Sequence, residues 1–155
     1  MHTDCQNQRG VTLVELLVVV AILSILGVVT GLFLLKYLPE HHLRSATSSL
    51  SQDLRQAQMG ALKRLRPWAV NFDTATHVYQ IIDFGPTSNA GDDIIVKTVN
   101  LMSYGGTIRF EAGTDAQAQF NEDGMGAGTV RILLSNSRGT ITTTEILRTG
   151  AIRVQ

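Results

Sequence analysis

The sequence predicts an α+β protein: a long N-terminal helix packed on a C-terminal head of mainly antiparallel strands. Three observations carry this. Residues 16–35 form a run of twenty without a charge, LLVVVAILSILGVVTGLFLL. Leu43, Ala46, Leu50, Leu54, Ala57, Ala61 and Leu65 then recur every three or four residues, the spacing of one helix face. From Trp68 the period changes to two, and ten of the fourteen glycines lie beyond residue 66, where strands need turns.

The uncharged run comes first. At about 1.5 Å per residue it spans about 30 Å in a helix, the thickness of a bilayer's hydrocarbon core. It is too long for the apolar core of an ordinary secretory signal, and Lys36-Tyr37-Leu38-Pro39 follows it in place of a small-residue cleavage site. Ser24 and Thr30 can return their hydroxyls to the backbone. Gly27 and Gly31 have the small-xxx-small spacing that lets helices approach closely, and a glycine pair without a partner is the other reading. Pro39 interrupts the pattern, because proline lacks the backbone donor and crowds the preceding turn. Beyond it, Arg44, Ser48, Gln52, Arg55 and Lys63 alternate with the apolar stripe, and Pro67 ends the segment. A helix continuous from 11 to 66 would be about 84 Å long.

The head follows. Ala69–Phe72 and Val78–Ile82 flank Asp73-Thr74-Ala75-Thr76, which reads as a four-residue hairpin connection. Further strands are expected at 94–99, 107–110, 129–134, 142–147 and 151–154. Turn clusters at 85–86, 89–92, 105–106, 124–128, 137–139 and 149–150 separate them. A head this small needs the helix to cover one of its faces.

Charge and composition restrict function. Thirteen Lys+Arg balance thirteen Asp+Glu, so bulk attraction to nucleic acid or acidic lipid is not implied. One cysteine, Cys5, rules out an internal disulfide. Gly124–Gly128 precedes a strand and opens no helix, so it lacks the N-terminus that cradles phosphate. Asp92-Asp93 and Glu122-Asp123 sit in turn-like sequence without EF-hand spacing. His41-His42 point to different helix faces and read as solvated polar residues, and His77 has no nucleophile motif around it. No catalytic residue, metal site or cofactor is expected.

Glu15 abuts the apolar run, where a carboxylate is costly unless paired or held at the headgroups. The segment Gln8-Arg9-Gly10-Val11-Thr12-Leu13-Val14-Glu15-Leu16-Leu17 resembles the cleavage and methylation signature of type IV prepilins and type II secretion pseudopilins. That resemblance implies a leader, residues 1–10, removed after Gly10 by prepilin peptidase at the cytoplasmic face. Val11 becomes the N-methylated N-terminus and Glu15 the fifth mature residue; Val11 stands where Phe or Met is commoner. Cys5 leaves with the leader. The freed amine of Val11, with an ordinary pKa of about 7.7–8.0, shares a helix face with Glu15 and can pair with it within one chain. Alternatively, Glu15 of an incoming subunit pairs with the amine of its neighbour, which fixes axial register; the resemblance favours this version.

In the head, the stripe leading into Val70-Asn71-Phe72, the turn Phe120-Asn121-Glu122-Asp123-Gly124 and the segment 147–154 look like minor pilins of the GspH/FimT type. This implies a leader at 1–10, a transmembrane or filament-core helix at 11–38, its amphipathic continuation at 39–66 and a periplasmic β-rich head at 67–155. The implied partners are other pilin or pseudopilin subunits, prepilin peptidase and inner-membrane lipid. The implied function is a structural subunit of a secretion pseudopilus or a pilus. The alternative is DNA capture for uptake, which resembles a C-terminal Gly-Arg-x-Arg signature. Here that stretch reads Gly150-Ala151-Ile152-Arg153, so one arginine is missing, and Arg148 and Arg153 are the candidate DNA contacts with Arg131 and Arg138 beside them. Acids outnumber bases in 67–155, which favours dispersed surface charge.

Overall fold

A computed structural model describes residues 12–86 and 91–155, and the side chains of all of these except 32–36. The chain divides into two compact units, Met1–Tyr37 and Leu38–Gln155. The helix α1, Leu13–Arg64, contributes to both.

In the first unit α1 opens on Thr12, whose Oγ1 accepts the Glu15 backbone N–H at 3.3 Å. Thr12 thereby caps an otherwise unpaired first-turn donor, and Glu15 places its carboxylate where the helix dipole favours it. Ser24 and Thr30 donate their hydroxyls to Val20 O and Leu26 O, both at 2.8 Å, so neither polar group is left open on the apolar surface.

Pro39 lies inside α1 and does not end it. A proline removes one donor from the ladder, and the stripe beyond it buries enough apolar surface to keep the helix going. The real stop comes at Leu65. Its φ is +50°, and the following Arg66 N–H donates to Ala61 O at 3.3 Å, a left-handed C-terminal closure that is usually left to glycine. Leu65, expected in the stripe, is therefore swung out and exposed.

In the second unit Leu43, Ala46, Leu50, Leu54, Ala57 and Ala61 are all at least 97% buried. Among the described residues they face eight strands: β1 Trp68–Asp73, β2 Val78–Asp83, β3 Ile94–Asn100, β4 Arg109–Phe110, β5 Gln117–Phe120, β6 Val130–Ser135, β7 Ile141–Ile146 and β8 Ile152–Val154. These form two four-stranded antiparallel sheets, ordered β3-β2-β1-β5 and β4-β6-β7-β8. A single buried cluster joins the helix stripe to Val70, Tyr79, Ile81 and Phe120 of the first sheet and to Phe110, Ile132, Leu134 and Ile146 of the second. Small helix residues let the strands close in: a Cβ on Gly60 would sit 2.7 Å from the Trp68 ring.

Three details depart from the sequence reading. The β1–β2 register pairs Asp73 with Val78, so the connection is Thr74–His77, one residue later than expected. Asp73 organises it by accepting from Ala75 N, Thr76 N and the Thr76 hydroxyl, and that hydroxyl first, then the two amides, hold its carboxyl below the usual carboxylate range. The expected strand at 107–110 shrinks to Arg109–Phe110, because its partner β6 ends at Ser135, opposite Arg109, and Asn136 turns back to Thr140; the Phe110 N–H donates to His77 Nδ1 at 3.3 Å. β5, Gln117-Ala118-Gln119-Phe120, went unread. Its two glutamines and an alanine carry little strand propensity, and it forms by pairing with β1. Of the expected turns, 89–90 lie outside the described residues.

A buried polar tie fixes the helix on the first sheet. Asp53, 4% exposed, accepts from the Tyr79 hydroxyl at 2.7 Å and from Lys97 Nζ at 2.7 and 2.8 Å. Burial, and then the bond to Asp53, push the Tyr79 phenol above the ordinary tyrosine range. Because the folded phenol loses its proton later than the unfolded one, this contribution is fully present below about pH 10 and declines above it. Tyr79→Phe should cost about 1 kcal/mol near neutrality, since Lys97 still holds Asp53. Thermal melts between about pH 8 and 11 should then show a shallower alkaline loss in the variant than in the parent chain.

Candidate functional site

The N-terminal apolar surface is the first candidate. Leu13–Gly31 has a mean hydropathy of 2.8, is long and apolar enough to cross a membrane, and is entirely unburied. Leu13, Leu16, Leu23, Ile25 and Val28 are each more than 60% exposed. Apolar area left in water forgoes roughly 25 cal/mol per Å², so a face this large needs lipid or partner helices. Glu15 stands in the first turn, exposed, with its backbone capped by Thr12. Gly27 and Gly31 are exposed, and nothing lies within 4 Å of where a Cβ on either would sit, so their backbone is left bare on the helix surface. Gly10, Val11 and Cys5 lie outside the described residues.

The arginines at the C-terminal end are arranged differently from a phosphate track. Arg148 is exposed in the β7–β8 connection, and its carbonyl accepts the Gly126 N–H at 3.1 Å. Arg153 on β8 is in register with Glu145 on β7, which in turn is in register with Arg131 on β6. Arg131 Nε donates to Glu145 Oε1 at 2.9 Å. A carboxylate thus sits between two guanidiniums, and a phosphate approaching them meets it. Arg138 is also engaged.

The glycine-rich turns serve the helix. Gln58 Nε2 donates to Gly124 O at 2.8 Å and to Gly150 O at 3.1 Å, so one side chain of α1 clamps two loops. Gly124 and Gly150 have φ of +74° and +78°, and a Cβ on Gly150 would lie 2.5 Å from Gly124 O. Phe120, fully buried, anchors the strand that enters this turn. His77 holds the turn of the first sheet to β4, and its φ is +55°. His41 and His42 pack edge to face, and the His42 ring lies where a Cβ on Gly105 would go. Among the described residues no group of three His, Cys, Asp or Glu converges.

Sequence reasoning missed the two acids that anchor α1. Asp53 sits between Leu50 and Ala57 at the spacing of the apolar stripe, and an acid inside such a stripe is itself the signal. Asp83 is fully buried on β2, where its Oδ2 accepts from Arg64 Nη1 at 2.9 Å and from Arg66 Nη2 at 2.7 Å. Period two placed Asp83 at the strand end, and nothing local names its partners.

Comparison with known proteins follows the same division. Residues 5–31 match the prokaryotic N-terminal methylation motif, and residues 46–153 match the type II transport protein GspH family. The chain belongs to the GspH family. Its fold is shared by the type IV minor pilin FimU of Pseudomonas aeruginosa, at TM-score 0.57 and 15% identity over 75% of this chain and 90% of that one. It is also shared by the minor pseudopilin EpsH from the type 2 secretion system of Vibrio cholerae, at TM-score 0.58 and 13% identity over 74% and 96%. No curated sequence matches at a significant level. Within the GspH domain, Phe120, Gly124 and Gly150 are the residues that shape the loops clamped by Gln58.

Gly150→Ala combines a left-handed φ with a backbone clash and should cost about 2–4 kcal/mol. Gly139→Ala is the matched control: its φ is +76° with nothing within 4 Å of the added Cβ, so about 1–2 kcal/mol is expected. Denaturant unfolding of the detergent-solubilised chains measures both.

Proposed function

We propose that this GspH-family chain is a minor pseudopilin or minor pilin, a structural subunit of a type II secretion pseudopilus or a type IV pilus. The observation that carries this reading is one helix with two faces of use. Its first part is apolar and wholly exposed, with a carboxylate in its first turn, and its later part is the buried spine of a GspH domain. An enzyme has no need of that division, and a subunit handed from lipid to a filament core does.

Prepilin peptidase cuts after Gly10 and methylates the amine of Val11. Before assembly the apolar helix holds the chain in the inner membrane with the head in the periplasm. On assembly, Leu13–Gly31 leaves lipid for the helices of neighbouring subunits. The Glu15 carboxylate would be left unpaired in that dry environment, so it takes the N-terminal amine of an adjacent subunit as its partner. Such a pair adds little net stability and penalises every wrong axial register, because a misplaced subunit leaves two buried charges alone. Gly27 and Gly31 let the packed helices approach closely.

Two variants test this. Gly10→Val should keep residues 1–10, read as an unprocessed intact mass in a host with the peptidase. Glu15→Val should insert and be processed normally, since the apolar run only gains hydrophobicity. It should fall by at least about 100-fold in the sheared filament fraction, because leaving the neighbour's buried amine uncompensated costs about 3–5 kcal/mol. Parental levels of the Glu15→Val chain in filaments would reduce Glu15 to a boundary residue.

A further inference from the structure

The outer face of α1 in the second unit carries a feature that neither the core nor the apolar anchor uses. Between residues 41 and 63 the helix charges are Arg44, Asp53, Arg55 and Lys63, and the one acid, Asp53, is turned inward onto Lys97. Arg44 and Arg55 are eleven residues apart, so they lie about 16 Å apart along the axis and only about 20° apart around it. Both are exposed, and neither forms an ion pair among the described residues. Ser48 and Ser51 lie between them on the same line. Together with Thr142 and Val154 they line an open groove of about 360 Å³. The Ser51 hydroxyl is committed to Thr47 O, whereas Ser48 has no partner among the described residues.

The far wall of this groove is the start of β7 and the end of β8. β8 is the outermost strand of its sheet, so its outward backbone groups pair with no strand among the described residues. A groove with guanidiniums at both ends, hydroxyls along its floor and a strand edge for a wall fits an extended chain that carries carboxylates. At about 3.3 Å per residue, acids four to six residues apart in such a chain reach both arginines. We propose that this groove receives an extended acidic segment of another subunit of the same filament, with Arg44 and Arg55 as its carboxylate clamps. The proposal rests on the filament-subunit reading above. A nucleic acid strand fits less well, because Arg131 and Arg153 lie with Glu145 on the opposite face of the sheet from Thr142 and Val154 and so give a polyanion no further cations along the groove.

The test uses the full-length chain in its own host, with a photoreactive benzoylphenylalanine replacing Ser48 in one version and Val18 in another. The Val18 probe reports assembly through the apolar helix, and the Ser48 probe reports the groove. The expected result is a Ser48 adduct to a stretch of another pilin-like subunit with at least two Asp or Glu within about six residues. That adduct should drop roughly tenfold in the Arg44→Glu/Arg55→Glu chain, while the Val18 adduct and leader removal persist. If the charge-reversed chain fails to accumulate, Arg44→Gln/Arg55→Gln gives the same comparison. A Val18 adduct without a Ser48 adduct overturns the groove proposal and leaves the filament reading standing. So does a Ser48 adduct that is insensitive to the substitutions, that lacks acidic residues, or that contains nucleic acid or lipid. Loss of both adducts in the unsubstituted chain overturns the filament reading and the proposal with it.

Discussion

The two sheets of the head share one apolar core, and its spine is the stripe Leu43–Ala46–Leu50–Leu54–Ala57–Ala61 on α1. Each sheet has only four strands, several of them short, and neither could close a core alone. Burying Leu50 and Leu54 completely contributes roughly 1.5–3 kcal/mol each. The alanines contribute differently: they cost no side-chain entropy and keep the helix surface low enough for Trp68, Tyr79 and Phe120 to pack against it. The helix is thus a part of the head, and removing it would leave two sheets with exposed inner faces.

Polar ties then choose one seating of the sheets among the many that oily contacts permit. Asp53 holds Tyr79 and Lys97, Asp83 holds Arg64 and Arg66, and Gln58 holds the carbonyls of Gly124 and Gly150. Arg64 also lies over the Trp68 ring at 5.7 Å. Buried ion pairs add little to net stability because desolvation offsets the attraction, yet a slipped arrangement strands a charge at a cost of several kcal/mol. The same argument governs Glu15 in an assembly. The chain uses paired charge twice, once to seat its own helix and once, on the proposed reading, to seat its neighbour.

Much of this was legible in the sequence because it is periodic. The twenty-residue uncharged run, the three-and-four spacing from Leu43 and the alternation after Trp68 each follow from helix and strand geometry, and the α+β class follows from their order. The N-terminal signature was legible for another reason, since Gly10, Val11 and Glu15 stand in one register with the apolar run. What escaped was set by distant partners. Gln117–Phe120 becomes a strand because β1 is beside it, Leu65 leaves the stripe because Arg66 N–H reaches back to Ala61 O, and Pro39 stays helical because buried residues follow it. Asp83 and Gln58 find partners 17 to 92 residues away, beyond any local pattern.

On this structure α1 from Leu43 to Ala61 is the common core of both sheets. Native-state hydrogen exchange on the full-length chain in detergent, with and without Leu54→Ala, tests it most directly. The amides of β1 in one sheet and β6 in the other should open with one free energy, the same as that of the helix. Leu54→Ala should lower both by an equal amount, about 2–5 kcal/mol. Protection that falls in one sheet only, or a sheet that stays protected after the helix amides have exchanged, would contradict the shared core.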